Sequence, residues 1–181
     1  METINDSNTP QATAAAVVAT MAALVPPRIG EHWAGQGGVY VGIMRGRDGQ
    51  ADHHLVAAIG ANELEDVTWG EYGKKIEGCG SYHDGKANTA AMAAAGYDIA
   101  KRIQALDIEG NTDWHLPSQA EAHLLAANIR EAMNQGDYYW TSTQYSADDA
   151  WYQTFGSGDQ VIDNKDAELR AVAVRVIQLA A

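Results

Sequence analysis

Trp-His-Leu-Pro-Ser at residues 114–118, Tyr-Tyr-Trp-Thr-Ser-Thr at 138–143, Ala-Trp-Tyr-Gln-Thr-Phe at 150–155 and Arg-Ala-Val-Ala-Val-Arg at 170–175 decide the fold. Three of the five tryptophans fall in this stretch, each beside a turn or strand signal, which predicts a compact core presenting aromatic and polar loops. Ser118 and Glu121 have the spacing of a capping box, in which hydroxyl and carboxylate each satisfy an orphan backbone N–H. Ala122, Leu125, Ala126, Ile129 and Met133 continue as an apolar stripe, so a helix is predicted over 118–134. Beyond Gly136 the signals are β: strands at 138–143, 150–155, 160–162 and 171–179, with a Gly-rich turn at 156–159. In the last strand Val172, Val174 and Val176 alternate with Ala173 and Arg175, and small Ala171 and Ala173 predict a central strand covered on both faces.

Working outward, Met92, Ala95, Ile99, Ile103 and Leu106 predict a second helix over 86–106, with Gly96 a mild defect in it. Residues 63–84 read as an irregular excursion anchored by Trp69. Before it, β-branched runs at 39–44 and 54–59 flank Asp48-Gly49 and predict a hairpin. His53 and His54 are adjacent in its second strand and so point to opposite faces, which argues against a shared metal ion. An Ala/Val-rich run at 14–25 ends at Pro26-Pro27, so residues 1–27 read as an arm with a short helix and 28–181 as one domain.

Composition narrows the function. Twelve basic residues against 24 acidic ones give a net charge of −12, which repels nucleic-acid backbones and anionic lipid. The run at 14–25 is too short to insert across a membrane, and Glu2 and Asp6 stand where a secretory signal carries basic residues. Synthesis in the cytoplasm is expected. Cys79 is the only cysteine, which excludes an internal disulfide. Asp148, Asp149, Asp159, Asp163, Asp166 and Glu168 match no EF-hand spacing and interleave with Lys165 and Arg170, so a solvated loop is expected rather than a calcium site. The histidines at 32, 53, 54, 83, 115 and 123 form no His-x-x-x-His pair, although His115 and His123 approach each other across a helix start. Neither an enzyme nor a cofactor is expected, because no nucleophile elbow or dinucleotide loop is present.

The density of tyrosine and tryptophan beside amides and hydroxyls points instead to binding, since rigid amphipathic rings supply contact area at little entropic cost. Strand alternation sends Trp140 and Trp151 inward and leaves Tyr139, Tyr145, Tyr152 and Gln153 as exposed candidates, together with Gln144 and with Asp159 in the following turn.

The order Trp-x-Leu-Pro, helix, Tyr-Trp-Thr-Ser-Thr, Ala-Trp-Tyr-Gln-x-Phe, Gly turn and Arg-Ala-Val-Ala-Val-Arg resembles the Lcl C-terminal domain family of bacteria and phages. That family, long catalogued as a domain of unknown function, looks C-type-lectin-like and related to the major tropism determinant and other variable proteins of diversity-generating retroelements. Residues 29–40 are also similar to the start of prophage-encoded members. Carried over position by position, Trp114, Leu116 and Pro117 match the family's structural corner, Trp140 and Trp151 its core, and Arg175 its closing strand. The Glu-Pro-Asn and Trp-Asn-Asp motifs of calcium-dependent lectins are missing, as is the cysteine pair of formylglycine-generating enzymes. The resemblance therefore implies an α+β binding scaffold, two helices on a small, mainly antiparallel sheet behind an N-terminal arm. It implies a virion protein that recognises a host-surface receptor, protein or glycan, at a tail fibre or baseplate. The alternative is a decoration or minor capsid protein. Other virion proteins are the expected partners, and comparison with phage adhesins implies a homo-oligomer, a trimer.

The arm is too short to be stable alone and the domain has helices and strands of its own. Deleting residues 1–27 is expected to leave the melting temperature within a few degrees while the particle size in solution falls. Calorimetry and light scattering check this; an earlier melt at unchanged mass would assign the arm to the core.

Overall fold

A computed structural model describes residues 25–47 and 49–179. Val25 apart, the helix expected at 14–25 lies outside the described residues. In chain order the elements are β1 (His32–Trp33), β2 (Gly38–Met44), β3 (His53–Ala58), β4 (Leu64–Thr68), α1 (Gly85–Ala94), α2 (Asp98–Gln104) and α3 (Gln119–Asn128). Then follow β5 (Tyr138–Gln144), β6 (Asp149–Thr154), β7 (Gln160–Asn164), β8 (Glu168–Ala171) and β9 (Ala173–Gln178). The class is α+β, as expected, with strands divided between two sheets of order β1-β2-β3-β9 and β4-β8-β5-β6-β7. All pairings are antiparallel except β5 with β8, which meet in parallel at Tyr139 and Arg170.

The hairpin β2–β3 forms where expected, with Val39 opposite Ala57 and Met44 opposite His53. The capping box is present: Ser118 Oγ accepts from the Glu121 N–H, and Glu121 Oε2 accepts from the Ser118 N–H at 2.7 Å. Three sequence expectations are corrected. The helix over 86–106 is two helices, because Gly96 takes a left-handed φ of 98° between α1 and α2, a conformation available to glycine without a steric penalty. The helix over 118–134 stops at Asn128 and yields to a single 3₁₀ turn at Arg130–Ala132. The strand over 171–179 is two strands in different sheets, and β9 stands at the edge of its sheet rather than at the centre. That edge is closed by a backbone pair, His115 and Val174 each donating to the other's carbonyl at 2.8 Å.

Two cores flank the first sheet. Leu55, Ala57 and Val174 pack with Leu125, Ile129 and Phe155 on one side, while Val56, Ala58 and Ala173 join Trp69, Trp114, Trp140, Ile99 and Ile103 on the other. Consecutive residues of β3 thus serve opposite cores, the period of a strand buried on both faces. Each large indole carries its N–H to a backbone carbonyl, Trp69 to Thr141 at 2.8 Å, Trp140 to Val67 at 3.0 Å and Trp114 to Asn111 at 2.8 Å. Trp114, Leu116 and Pro117 are buried, as the family corner implies. Arg175 lies over the Trp114 ring, 5.8 Å from its centroid, and its Nε donates to Asp113 at 2.7 Å.

The excursion over 63–84 opens with β4 and is then held by side chains. Lys165, expected in a solvated acidic loop, is fully buried instead. Its Nζ donates to the carbonyls of Lys74 and Ala147 and to Gln144 Oε1 at 2.7, 2.9 and 2.9 Å, and sits 5.0 Å from the centre of the Trp69 ring. Burial lowers its pKa, and the three acceptors with the ring face compensate the ammonium for lost water.

Trp151, expected inward with Trp140, is only half-buried, its ring edge-on to exposed Tyr145. The two tryptophans are therefore expected to respond differently. Trp140→Ala should cost roughly 3–5 kcal/mol and unfold or aggregate the domain, whereas Trp151→Ala should fold with a smaller loss. Denaturant titration of both variants is the check, and equal losses would contradict the burial difference.

Candidate functional site

Of the residues expected to meet a ligand, three are structural. Tyr139 is 1% exposed; its hydroxyl donates to Glu63 Oε2 at 2.8 Å and accepts from the Asn134 N–H. Burial, with the Glu63 carboxylate, pushes the phenol up to about 12. Gln153 is buried with its amide donating to the carbonyls of Thr154 and Asp159 and accepting from Gln160 Nε2. Gln144 is buried with its oxygen taken by the Ile76 N–H and Lys165, and its amide donating to the Ile76 carbonyl. These three are corrected from exposed candidates to internal clamps, because a buried amide or phenol must find partners within the protein. Tyr145 and Asp159 are exposed, and Tyr152 is half-buried against Tyr138. None of the six expected residues lines the cleft of the molecule.

That cleft, about 710 Å³, opens between the β2–β3 turn, the residues leading into α1, the corner at Asp113–His115 and the end of β9. Arg45 and Arg47 stand on the turn, His53 at the start of β3, and His83 and Lys86 on the opposite wall. Three carboxylates also line it, and each is engaged. Asp113 pairs with Arg175 at 2.7 Å, Asp84 caps α1 by accepting from the Ala87 N–H at 2.8 Å, and Glu121 holds His115 at 2.8 Å. No carboxylate among the described residues lies within ion-pair distance of Arg45, Arg47 or Lys86. Within a chain of net charge −12, the cleft thus gathers three cations that no carboxylate among the described residues contacts directly.

The floor is a buried pair. His115 and Glu121 are 2% and 3% exposed, and Gly85 is needed above them because a Cβ there would collide with the Glu121 carboxylate. Burial pushes the Glu121 carboxyl up, but the adjacent His115 imidazole, their hydrogen bond and the Ser118 N–H and hydroxyl outweigh it and hold the group below the usual glutamate range. An ionised Glu121 only accepts, so Nε2 of His115 carries the proton and donates. Nδ1, on the other side of the ring, has no partner among the described residues. A buried polar atom left unsatisfied costs about 1–3 kcal/mol.

Sequence reasoning places His115 near a helix start but does not collect the cleft, whose members come from four separate parts of the chain. Among the described residues no group of three or more His, Cys, Asp or Glu side chains is placed to hold a metal ion. Cys79 is buried, its thiol donating to the Asn88 carbonyl, and burial pushes it up to about 11.

The family model of the Lcl C-terminal domain matches residues 61–175, more than half of the chain. A comparison with curated proteins finds no match.

The buried pair has a pH signature. A carboxylate with a lowered folded-state pKa stabilises the fold above its unfolded value, and that contribution disappears as pH falls through the folded value. Glu121→Gln, which replaces the charged acceptor of the His115 and Ser118 hydrogen bonds, is expected to lose roughly 1.5–3 kcal/mol at neutral pH. Its deficit should shrink as pH falls below the unfolded glutamate value of about 4.3 and on through the lowered folded one. Thermal melts across pH test this, and a constant gap between the two proteins would refute it.

Proposed function

Since the chain belongs to the Lcl C-terminal domain family, we propose that it is a ligand-binding protein of a phage virion, recognising a host-surface receptor, protein or glycan, at a tail fibre or baseplate. The observation that carries ligand binding is the cleft, in which Arg45, Arg47 and Lys86 face solvent without a carboxylate partner among the described residues while every carboxylate beside them is engaged. Desolvated or unpaired charge in a concave site is a recurrent mark of binding surfaces. The virion assignment rests on the resemblance of residues 29–40 to prophage-encoded members, and copies assemble as a homo-oligomer through the N-terminal arm. Binding is favoured over catalysis because the one hydroxyl lining the cleft, Ser81, has its oxygen occupied by the N–H groups of His83 and Asp84.

A second reading, decoration or minor capsid protein, is favoured by a different surface. Tyr138 and Tyr145 are 49% and 58% exposed at the two ends of β5, and Val161 is 43% exposed on edge strand β7, a set suited to packing against another virion protein.

Purified protein is expected to compete with virions for adsorption to host cells, and Arg45→Ala/Arg47→Ala to compete at least about tenfold less well. Immunogold imaging of a tagged copy should place it on the tail. A label on the capsid with no competition would support the decoration reading instead.

A further inference from the structure

The cleft combines two features that separate structural roles do not explain. One is its three cations, Arg45, Arg47 and Lys86, none within ion-pair distance of a carboxylate among the described residues. The other is the partnerless Nδ1 of His115 in its floor, a buried polar atom that no group among the described residues satisfies. Arginine forks match a tetrahedral oxyanion in bidentate fashion, and several cations around one cavity favour a dianion over a monoanion. Ser81 Oγ accepts two backbone N–H groups, which leaves its own hydrogen to donate into the cleft. The repulsion of a chain of net charge −12 acts on every anion, so capture depends on this local arrangement.

We infer that the cleft binds a phosphate monoester carried on a small hydroxylated group, with Arg45, Arg47 and Lys86 on the phosphate and His115 Nδ1 hydrogen-bonded to a hydroxyl of the carrier. This rests on the reading of the cleft as the ligand site, and it names the chemistry that the cleft recognises. The phosphate is the part that holds and the hydroxyl the part that selects, because an unmatched buried polar atom penalises any ligand that brings it no hydrogen bond.

The test uses the full chain at low ionic strength, with backbone amide shifts followed on adding inorganic phosphate, glycerol 3-phosphate or glycerol. Glycerol 3-phosphate is expected to shift residues 45–53 and 81–86 and to bind at least about tenfold more tightly than inorganic phosphate, a difference of about 1.4 kcal/mol. Glycerol alone should produce no shifts. Arg45→Ala/Arg47→Ala, two exposed turn positions, should retain the wild-type melt and lose binding by about tenfold or more. Shifts spread over the surface, or an unchanged affinity in this variant, would overturn the phosphate assignment. Equal affinity for inorganic phosphate and glycerol 3-phosphate would overturn the role of His115. Phosphatase treatment of host cells separates the sources. Lost adsorption identifies a surface-borne monoester, and adsorption that persists beside binding in solution identifies a soluble one. If the protein competes for adsorption yet binds neither phosphate, the receptor reading survives and the phosphate inference fails. Binding of glycerol 3-phosphate without competition supports the phosphate inference and removes the receptor reading.

Discussion

The fold depends on one residue of chain at which a strand leaves one sheet and enters the other. β8 ends at Ala171 and β9 begins at Ala173, so Val172 alone separates the two sheets. Alternation is not interrupted there: Ala171 and Ala173 face the tryptophan-rich core, while Val172 and Val174 face the core under α3. Alanine suits the first side because Trp69, Trp114 and Trp140 already fill it, and a larger side chain would meet a packed interior. Both cores are thus continuous across a boundary that the hydrogen-bond ladders do not cross. The arginines on either side fasten it, Arg170 to Glu63, Glu65 and Asp137, and Arg175 to Asp113 and Gln36.

Local signals are legible in the sequence wherever a local rule is sufficient. The Ser118–Glu121 box, the β2–β3 hairpin and the burial of Trp140 each follow from spacing within a few residues, whereas the burial of Trp114 follows from the family resemblance. The sheet switch is not legible, since alternation reads identically through one strand or two. Tyr139, Gln144 and Gln153 mislead for a related reason. Their partners Glu63, Ile76 and Gln160 lie on other elements, and polarity alone does not distinguish an amide that meets solvent from one that clamps a loop. Lys165 is the sharpest instance, a lysine among aspartates whose ammonium turns inward to three acceptors.

The cleft escapes sequence reading because it is assembled across distance. Arg45, His83, Asp113 and Val176 converge only when the hairpin, the corner before α3 and the edge strand are in place. The fold also sorts its charge there. Carboxylates near the cleft are held by a cap, an arginine and a buried histidine, which leaves Arg45, Arg47 and Lys86 without a carboxylate in contact among the described residues. A field of that kind is set by which acids are occupied rather than by net composition.

The clamp made by Trp69, Gln144 and Lys165 has a consequence for sequence drift. It fixes the two ends of a surface segment, with Gly70 bonded to the Lys165 carbonyl and Ile76 to Gln144, while residues 71–75 between them are exposed. Chain entropy rises only slowly with the length of a closed loop, about 0.6 kcal/mol for each doubling. Rewritten side chains in this interval, and insertions that leave the Lys74 carbonyl on Lys165, therefore scarcely burden the fold. A lineage can diversify Glu71, Tyr72, Lys74 and Lys75, Gly73 being held by its left-handed φ of 80°, while the two cores and the sheet switch stay constant, and a foreign peptide grafted beside Tyr72 would be displayed from a rigid base.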